Sequence, residues 1–232
     1  MFKHVLLGAV GVLAIPALVA TAAPKDDVQA AAKKLADTGS YAWHTAVEGG
    51  FSSTTDGQTQ KDGTSALKLT FGDNTREVLI KGDKAAVKTD DGWKSAAELA
   101  DAQGPERFMA RMATTFRAPA AQATEAVDKT KELKKDGDAY SADLTEEGAK
   151  DLMSFAGRRG GGNNQGPQIQ NANGNVKFWV KDGALAKMQY TVEGKMTFNG
   201  EDRDVNRTTT TEIKDVGSTK VEIPADAKAK LQ

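Results

Sequence analysis

Residues 176–185 read Val176-Lys177-Phe178-Trp179-Val180-Lys181-Asp182-Gly183-Ala184-Leu185. Alternate residues of a strand point to opposite faces, so Val176, Phe178 and Val180 share one face and Trp179 takes the other. The Asp-Gly pair predicts a tight turn into a second strand, on which Met188 and Tyr190 share a face. Apolar residues alternating with charged ones on either side of a turn are typical of an antiparallel hairpin with one buried face.

The same two-residue period extends downstream of this hairpin. Asn199-Gly200 is a strong hairpin signal, and a threonine-rich strand is predicted over residues 207–216. Residues 221–224 (Val-Glu-Ile-Pro) are predicted to form an extended edge. Two further extended stretches are therefore predicted to join the sheet on this side.

The N-terminal half shows the same alternation. A first strand places Trp43, Val47 and Phe51 on one face and His44 on the other. Later strands repeat the pattern around Gly and Asp turns, with inward residues Leu67, Leu69, Phe71, Val78, Ile80 and Val87. About ten antiparallel strands are predicted in all.

Helices are predicted in three places. Residues 26–37 carry apolar residues at helical spacing and stop at Gly39. Pro105 lies near the start of a helix with the apolar stripe Phe108, Met109, Met112 and Phe116, and a short helix follows Pro119. Thr145 is a predicted N-cap for a third segment.

Residues 1–22 predict a Sec-type signal peptide. A short basic start precedes an apolar run from Val5 to Val19, and Ala20-Thr21-Ala22 supplies the small residues of a cleavage site. The run is shorter than the roughly 20 apolar residues of a spanning helix. We therefore expect cleavage near Ala22–Ala23 and a periplasmic or secreted protein.

Residues 23–232 are predicted to form a single domain interrupted by a flexible loop at residues 157–175. This segment is rich in glycine and asparagine and holds almost no core residues. It follows a helix and precedes a strand, the reverse of the order in which a phosphate-binding glycine loop occurs.

Composition argues against several classes of function. The chain has no cysteine, and its 31 basic and 32 acidic residues give neither a nucleic-acid footprint nor a polybasic patch. Only His44 remains after signal removal, and its strand position suits an ordinary surface residue. We therefore predict no enzyme activity, no metal, no cofactor and a monomer.

A long antiparallel sheet curls, and a curled sheet covered by helices can enclose an apolar cavity. The predicted fold is α+β: a curved antiparallel sheet forming an unclosed half β-barrel, with helices covering its concave face. The predicted ligand-binding residues are apolar positions of the wall and the helical lid: Trp43, Val47, Leu69, Phe71, Ile80, Phe108, Met112, Phe116, Phe178, Val180, Met188 and Tyr190. An equally open interpretation is that these residues form an ordinary packed core.

The C-terminal half resembles the periplasmic lipoprotein-carrier superfamily, of LolA/LppX type. The resemblance lies in the hairpin of residues 176–185, the threonines of 208–211, and Asp215-Val216-Gly217 followed by residues 221–224. Residues 143–149 are similar to the family's turn into a late helix. The resemblance implies an unclosed barrel that holds an acyl chain or lipid. No arginine here matches by motif the one that latches the family's lid.

Two functions are therefore expected from the sequence. The first is an exported, non-catalytic protein that binds a lipid or other hydrophobic ligand, as a lipoprotein or lipid carrier or an envelope sensor. The alternative is a structural or interaction module of the cell envelope, with a fully packed sheet and a protein partner recognised by residues 157–175.

Overall fold

A computed structural model describes residues 23–50, 52–154, 168–198 and 200–232. The predicted signal peptide, residues 1–22, lies outside the described residues, as does Phe51. The helices are α1 (Pro24–Thr38), α2 (Pro105–Thr115), α3 (Pro119–Asp128), α4 (Glu146–Met153) and α5 (Ala225–Lys228), the last followed by a 3-10 turn (Ala229–Leu231).

Eleven strands form one antiparallel sheet. They are β1 (Tyr41–Glu48), β2 (Ser53–Thr59), β3 (Ser65–Phe71), β4 (Asn74–Lys81), β5 (Lys84–Thr89), β6 (Gly92–Ser95), β7 (Lys134–Asp136), β8 (Ala139–Asp143), β9 (Gln168–Lys181), β10 (Ala184–Phe198) and β11 (Glu201–Lys214). Their order is β6-β5-β4-β3-β2-β1-β11-β10-β9-β8-β7. Strands β6 and β7 are therefore the two edge strands, each paired on one side only. The α+β class and the unclosed antiparallel sheet are confirmed.

The predicted helix signals are confirmed at their ends. Gly39 stops α1 in the left-handed conformation, with φ of 79°, where a residue without Cβ is least strained. The Thr145 hydroxyl accepts a hydrogen bond from the backbone N–H of Gly148, 3.0 Å away, and so caps α4. Helix α2 begins at Pro105 as predicted, and α3 begins at Pro119.

The sheet has two unlike faces. Helices α1 and α4 pack on β9 and β10, and α2 packs on β4 and β5, all against the large apolar cluster that contains Trp43, Val78 and Phe178. We call this the helix-side face. The opposite or outer face carries a small second cluster, in which Leu79 and Trp93 pack under Val221 and Leu231 of the C-terminal segment.

An indole covers a glycine at the centre of the helix-side face. Trp43 on β1 pairs directly with Gly57 on β2, and an added Cβ at Gly57 would lie 2.1 Å from the indole ring. The same indole stacks on Phe116, with ring centroids 6.0 Å apart and planes 14° apart. Glycine is therefore required at position 57 because the ring occupies the space of a side chain.

The predicted loop at residues 157–175 is wrong for its second half. Residues 168–175 form the first part of β9 and pair with β10, while residues 155–167 lie outside the described residues. The pairing contains an extra residue on β9 near Asn171, which has a positive φ of 54°. This bulge turns Ala172 into the core, where it is 6% exposed. The extra residue of the bulge interrupts the two-residue alternation, and this part of β9 has few apolar residues. The sequence pattern therefore does not reveal the strand.

Three other segments differ from the prediction. Strand β2, which is rich in Ser, Thr and Gly, is not predicted by the two-residue period of apolar residues. Strand β11 begins at Glu201 rather than residue 207. Residues 221–224 are not a strand; Val221 instead packs on the outer face, held by a hydrogen bond from its N–H to the side chain of Gln60 at 3.0 Å.

Candidate functional site

The nine predicted site residues on strands all lie on the helix-side face. The strand register pairs Trp43 with Gly57, Gly57 with Leu67, and Leu67 with Val78, so these positions share one face. The same register carries the face across the sheet to the remaining strand residues of the predicted set: Val47, Leu69, Phe71, Ile80, Phe178, Val180, Met188 and Tyr190.

Five of these nine residues are tightly packed. They are at most 8% exposed and belong to the large apolar cluster beneath the helices: Trp43, Leu69, Ile80, Phe178 and Met188. A ligand could reach them only by displacing helix side chains. They form the packed part of the helix-side face, and their substitution would act first on folding.

Half-buried apolar residues of the helix-side face lie at both ends of the sheet: Val180 lies at the end where β1 begins, and a larger group lies at the other end. We call it the open end: the end at which β1 finishes and β2 begins. Val47, Phe71 and Tyr190 lie there on the helix-side face and are half-buried. Three residues that the sequence did not single out extend this apolar surface: Ile169, Met196 and Val205.

The three predicted lid residues lie on or beside α2. Met112 and Phe116 are half-buried against the large apolar cluster, whereas Phe108 is 47% exposed. Phe116 follows the last residue of α2 and reaches β1 through its stack on Trp43. An exposed phenylalanine on a helix that otherwise buries its apolar side is a site where additional apolar surface can be covered.

Hydroxyl groups line the middle of the helix-side face between α2 and α4. Thr45 on β1 and Thr211 on β11 face each other, with their hydroxyl oxygens 2.9 Å apart. Thr55 pairs with Thr45, and Thr209 pairs with Val47, so both lie on the same face. Thr209 and Thr211 are only 6% and 3% exposed, so these hydroxyls belong to the packed part of the face.

Arg207 is a helix-side residue that sequence reasoning missed. It is 8% exposed on β11, opposite Val192, and its guanidinium donates a hydrogen bond to the backbone carbonyl of Leu152 on α4. It thereby ties α4 to the sheet beside the open end. The alternation of strand residues could have placed it there, because Arg207, Thr209 and Thr211 are alternate residues of β11 and so share one face.

Two tyrosines tie α1 and α3 to the sheet. The phenolic oxygen of Tyr41 accepts a hydrogen bond from the backbone N–H of Ala120, 3.3 Å away, and burial raises the pKa of this phenol. Tyr140 donates to a carboxylate oxygen of Asp27 at 3.0 Å. Burial, and then the Asp27 carboxylate, raise the pKa of Tyr140. Both phenols therefore stay neutral at physiological pH.

The outer face carries a row of alternating charges that crosses nine strands. Cross-strand neighbours along the row run Trp179, Lys187, Glu212, His44, Asp56, Lys68, Glu77, Lys88 and Trp93. Lys187 lies 3.3 Å from Glu212, and Lys88 lies 3.2 Å from Glu77. Charges satisfied by their neighbours make this face a solvated surface, in contrast to the apolar open end.

A cleft of about 480 Å³ lies over part of this charged row, beside the C-terminal segment. His44 and Asp56 line it, with His44 Nδ1 2.7 Å from Asp56 Oδ1. Asp202, Asp204 and Asn206 have the spacing of the first calcium ligands of an EF-hand loop, but they lie on strand β11 rather than in a loop. Among the described ranges, no group of three or more His, Asp or Glu side chains could hold a metal ion.

No helix within the described part of the chain is both long and apolar enough to cross a membrane. No protein-family model matches the sequence, and no curated protein matches it. The resemblance to lipoprotein carriers therefore remains an expectation.

Proposed function

We propose that this chain is an exported, non-catalytic protein that holds an acyl chain or other hydrophobic ligand in an unclosed half-barrel. The helices cover the concave face of the sheet in this proposal. The ligand lies at the open end, between the helix-side face of the strands and helix α2.

One observation carries the proposal: half-buried apolar residues of the helix-side face lie at the open end beside fully packed ones. Phe178 and Met188 are 0% and 2% exposed, whereas Phe71, Tyr190 and Met196 are half-buried. Leaving such side chains half-exposed forfeits about 25 cal/mol for each Å² that remains in water. A ligand that covers them recovers this free energy.

The first test compares two exposed apolar side chains. Phe108 on α2 is 47% exposed and Val216, in the turn after β11, is 46% exposed. Phe108→Ser should weaken binding of a fluorescent fatty-acid probe, whereas Val216→Ser should leave it unchanged, because only Phe108 lies beside the proposed site. Neither substitution removes core packing, so both variants should unfold at the wild-type urea concentration.

The relative probe affinities of the two variants show whether α2 covers the ligand. Equal probe affinity in wild type and both variants would show that α2 does not cover the ligand. Phe71→Ser then tests the strand side of the same site, since Phe71 is half-buried at the end of β3. Unchanged probe binding in that variant as well would place the ligand elsewhere and overturn the proposal.

The alternative function, an interaction module, is favoured by a different observation. The deep part of the helix-side face is packed rather than hollow, with Trp43 stacked on Phe116 over Gly57. In this alternative the partner binds residues 157–167, because residues 168–175 belong to β9. Deleting residues 157–167 should then abolish capture of the partner in an envelope extract and leave fatty-acid binding unaltered.

A further inference from the structure

The charged residues on the helix-side face at the open end are mostly arginines. Arg76 on β4 pairs with Leu69, Arg203 on β11 pairs with Met196, and Arg207 on β11 pairs with Val192. All three therefore project from the apolar face. Among the described strand residues of this end, the inward carboxylate is that of Glu201, which pairs with Arg203 at 3.2 Å.

This local excess of positive charge does not follow from composition. The whole chain carries a formal net charge of −1. The cations of the outer face are lysines with carboxylate partners, such as Lys88 with Glu77 and Lys187 with Glu212. Arginine presents a planar fork of donors that fits a carboxylate or phosphate, whereas lysine is a strongly hydrated point charge.

Arg76 has the surroundings of a binding group. It is half-buried between Leu69 and the start of β4, and its guanidinium bonds the backbone carbonyl of Thr75 at 3.4 Å. Within the described part of the chain, no carboxylate lies within 4 Å of it. Phe71 lies on the same face, two residues beyond Leu69 on β3. A guanidinium is thus held beside apolar surface with most of its donors available.

Positive charge also lies on the helix that packs over the strand of Arg76. Helix α2 packs on β4 and β5, and two more arginines, Arg107 and Arg111, lie exposed one turn apart on it, next to Phe108. Arg203 lies four strands from Arg76 and also eight residues beyond Thr211, the β11 residue level with Arg76, so the two residues are about 30 Å apart. One compact head group can therefore contact Arg76 but not both residues.

Resting on the proposed function, we propose that the ligand is an acyl chain that ends in an anionic head group, a carboxylate or a phosphate. Arg76 binds the anion at the rim of the open end. The acyl chain runs inward over Phe71, Val47 and Tyr190.

The test measures binding of matched charged and uncharged lipids to residues 23–232. Oleate is compared with methyl oleate, and dioleoyl phosphatidic acid with dioleoylglycerol, by tryptophan emission at low salt. The charged member of at least one pair should bind about tenfold more tightly, the effect expected for one charge-assisted contact. The pair that shows the preference identifies the head group as carboxylate or phosphate.

Variants assign the preference to a residue. Arg76→Gln should abolish the preference while affinity for the uncharged lipid stays the same, whereas Arg203→Gln should leave the preference unchanged, because Arg203 lies about 30 Å away. Lys88→Gln removes one positive charge from the outer face and should change neither affinity.

The outcomes separate the two proposals. If neither member of any pair binds, the proposed function fails. Equal binding of charged and uncharged members would overturn the anionic head group alone, and a preference that persists in Arg76→Gln would overturn the role of Arg76.

Discussion

Replacing Gly57 with alanine should destabilise the protein strongly, although alanine is ordinarily the better strand residue. The added methyl would lie 2.1 Å from carbon atoms of the Trp43 indole, and ordinary carbon contacts are about 3.5–4.0 Å. The ring must therefore retreat by more than about 1 Å. Trp43 is 4% exposed and stacked on Phe116, so it has no free space to enter.

The expected magnitude combines two effects. Overpacking a well-filled core costs about 1–3 kcal/mol, and losing an aromatic stack costs about 1 kcal/mol. Gly57→Ala should thus lower the free energy of unfolding by about 2–4 kcal/mol. Urea titration followed by far-UV circular dichroism measures this without relying on the emission of Trp43.

The background variant Trp43→Leu supplies the control. Once the indole is absent, Gly57→Ala should become neutral or stabilising by about 0.5–1 kcal/mol, because alanine restricts the unfolded chain more than glycine does. The coupling between positions 43 and 57 should therefore be about 3 kcal/mol. If Gly57→Ala is harmless in the wild-type background, the ring does not lie over Gly57 and the packed centre of the helix-side face is wrong.

Three further predictions concern the surface and a helix end. Lys68→Glu places a carboxylate between Asp56 and Glu77 and should destabilise by roughly 1 kcal/mol relative to Lys68→Gln, as measured by urea titration. Glu98 has its pKa lowered to about 2 by the hydrogen bond from Lys230 and then by Ser95, so this contact stabilises above about pH 4.5 and fades as the pH falls toward 2. The difference in urea midpoint between wild type and Glu98→Gln should therefore disappear over that interval; a difference that is constant with pH would disprove the contact. Thr145→Ala removes the N-cap of α4 and should cost about 1 kcal/mol in the same titration, whereas Thr145→Ser should cost much less.

The sheet could be predicted because its inward residues are apolar and its turns carry Gly, Asn and Asp. The period of two around Phe178 and Leu69 places nine predicted site residues on one face. Strand β2 could not be found in this way, because it pairs through Ser, Thr and Gly. Its position depends on Trp43, whose ring fills the space above Gly57, and this is a contact between strands rather than a local pattern.

The sequence predicts which face of the sheet each site residue lies on, but not how deeply that residue is buried. Alternation separates inward from outward residues but does not show which inward residues lie under a helix. Phe178 and Phe71 have the same pattern in the sequence, yet the first is fully buried and the second half-buried. Which inward residues a helix covers depends on where α2 and α4 pack, and the roles of the inward arginines Arg76 and Arg207 follow from that packing rather than from the sequence pattern.

The most direct test of the proposed function is native mass spectrometry of residues 23–232 purified from the cell envelope without detergent. We predict a population heavier than the bare chain by the mass of one lipid, lost in Phe71→Ser and retained in Val216→Ser. A bare chain alone, together with no shift of tryptophan emission on adding fatty acids, would contradict ligand binding on the helix-side face.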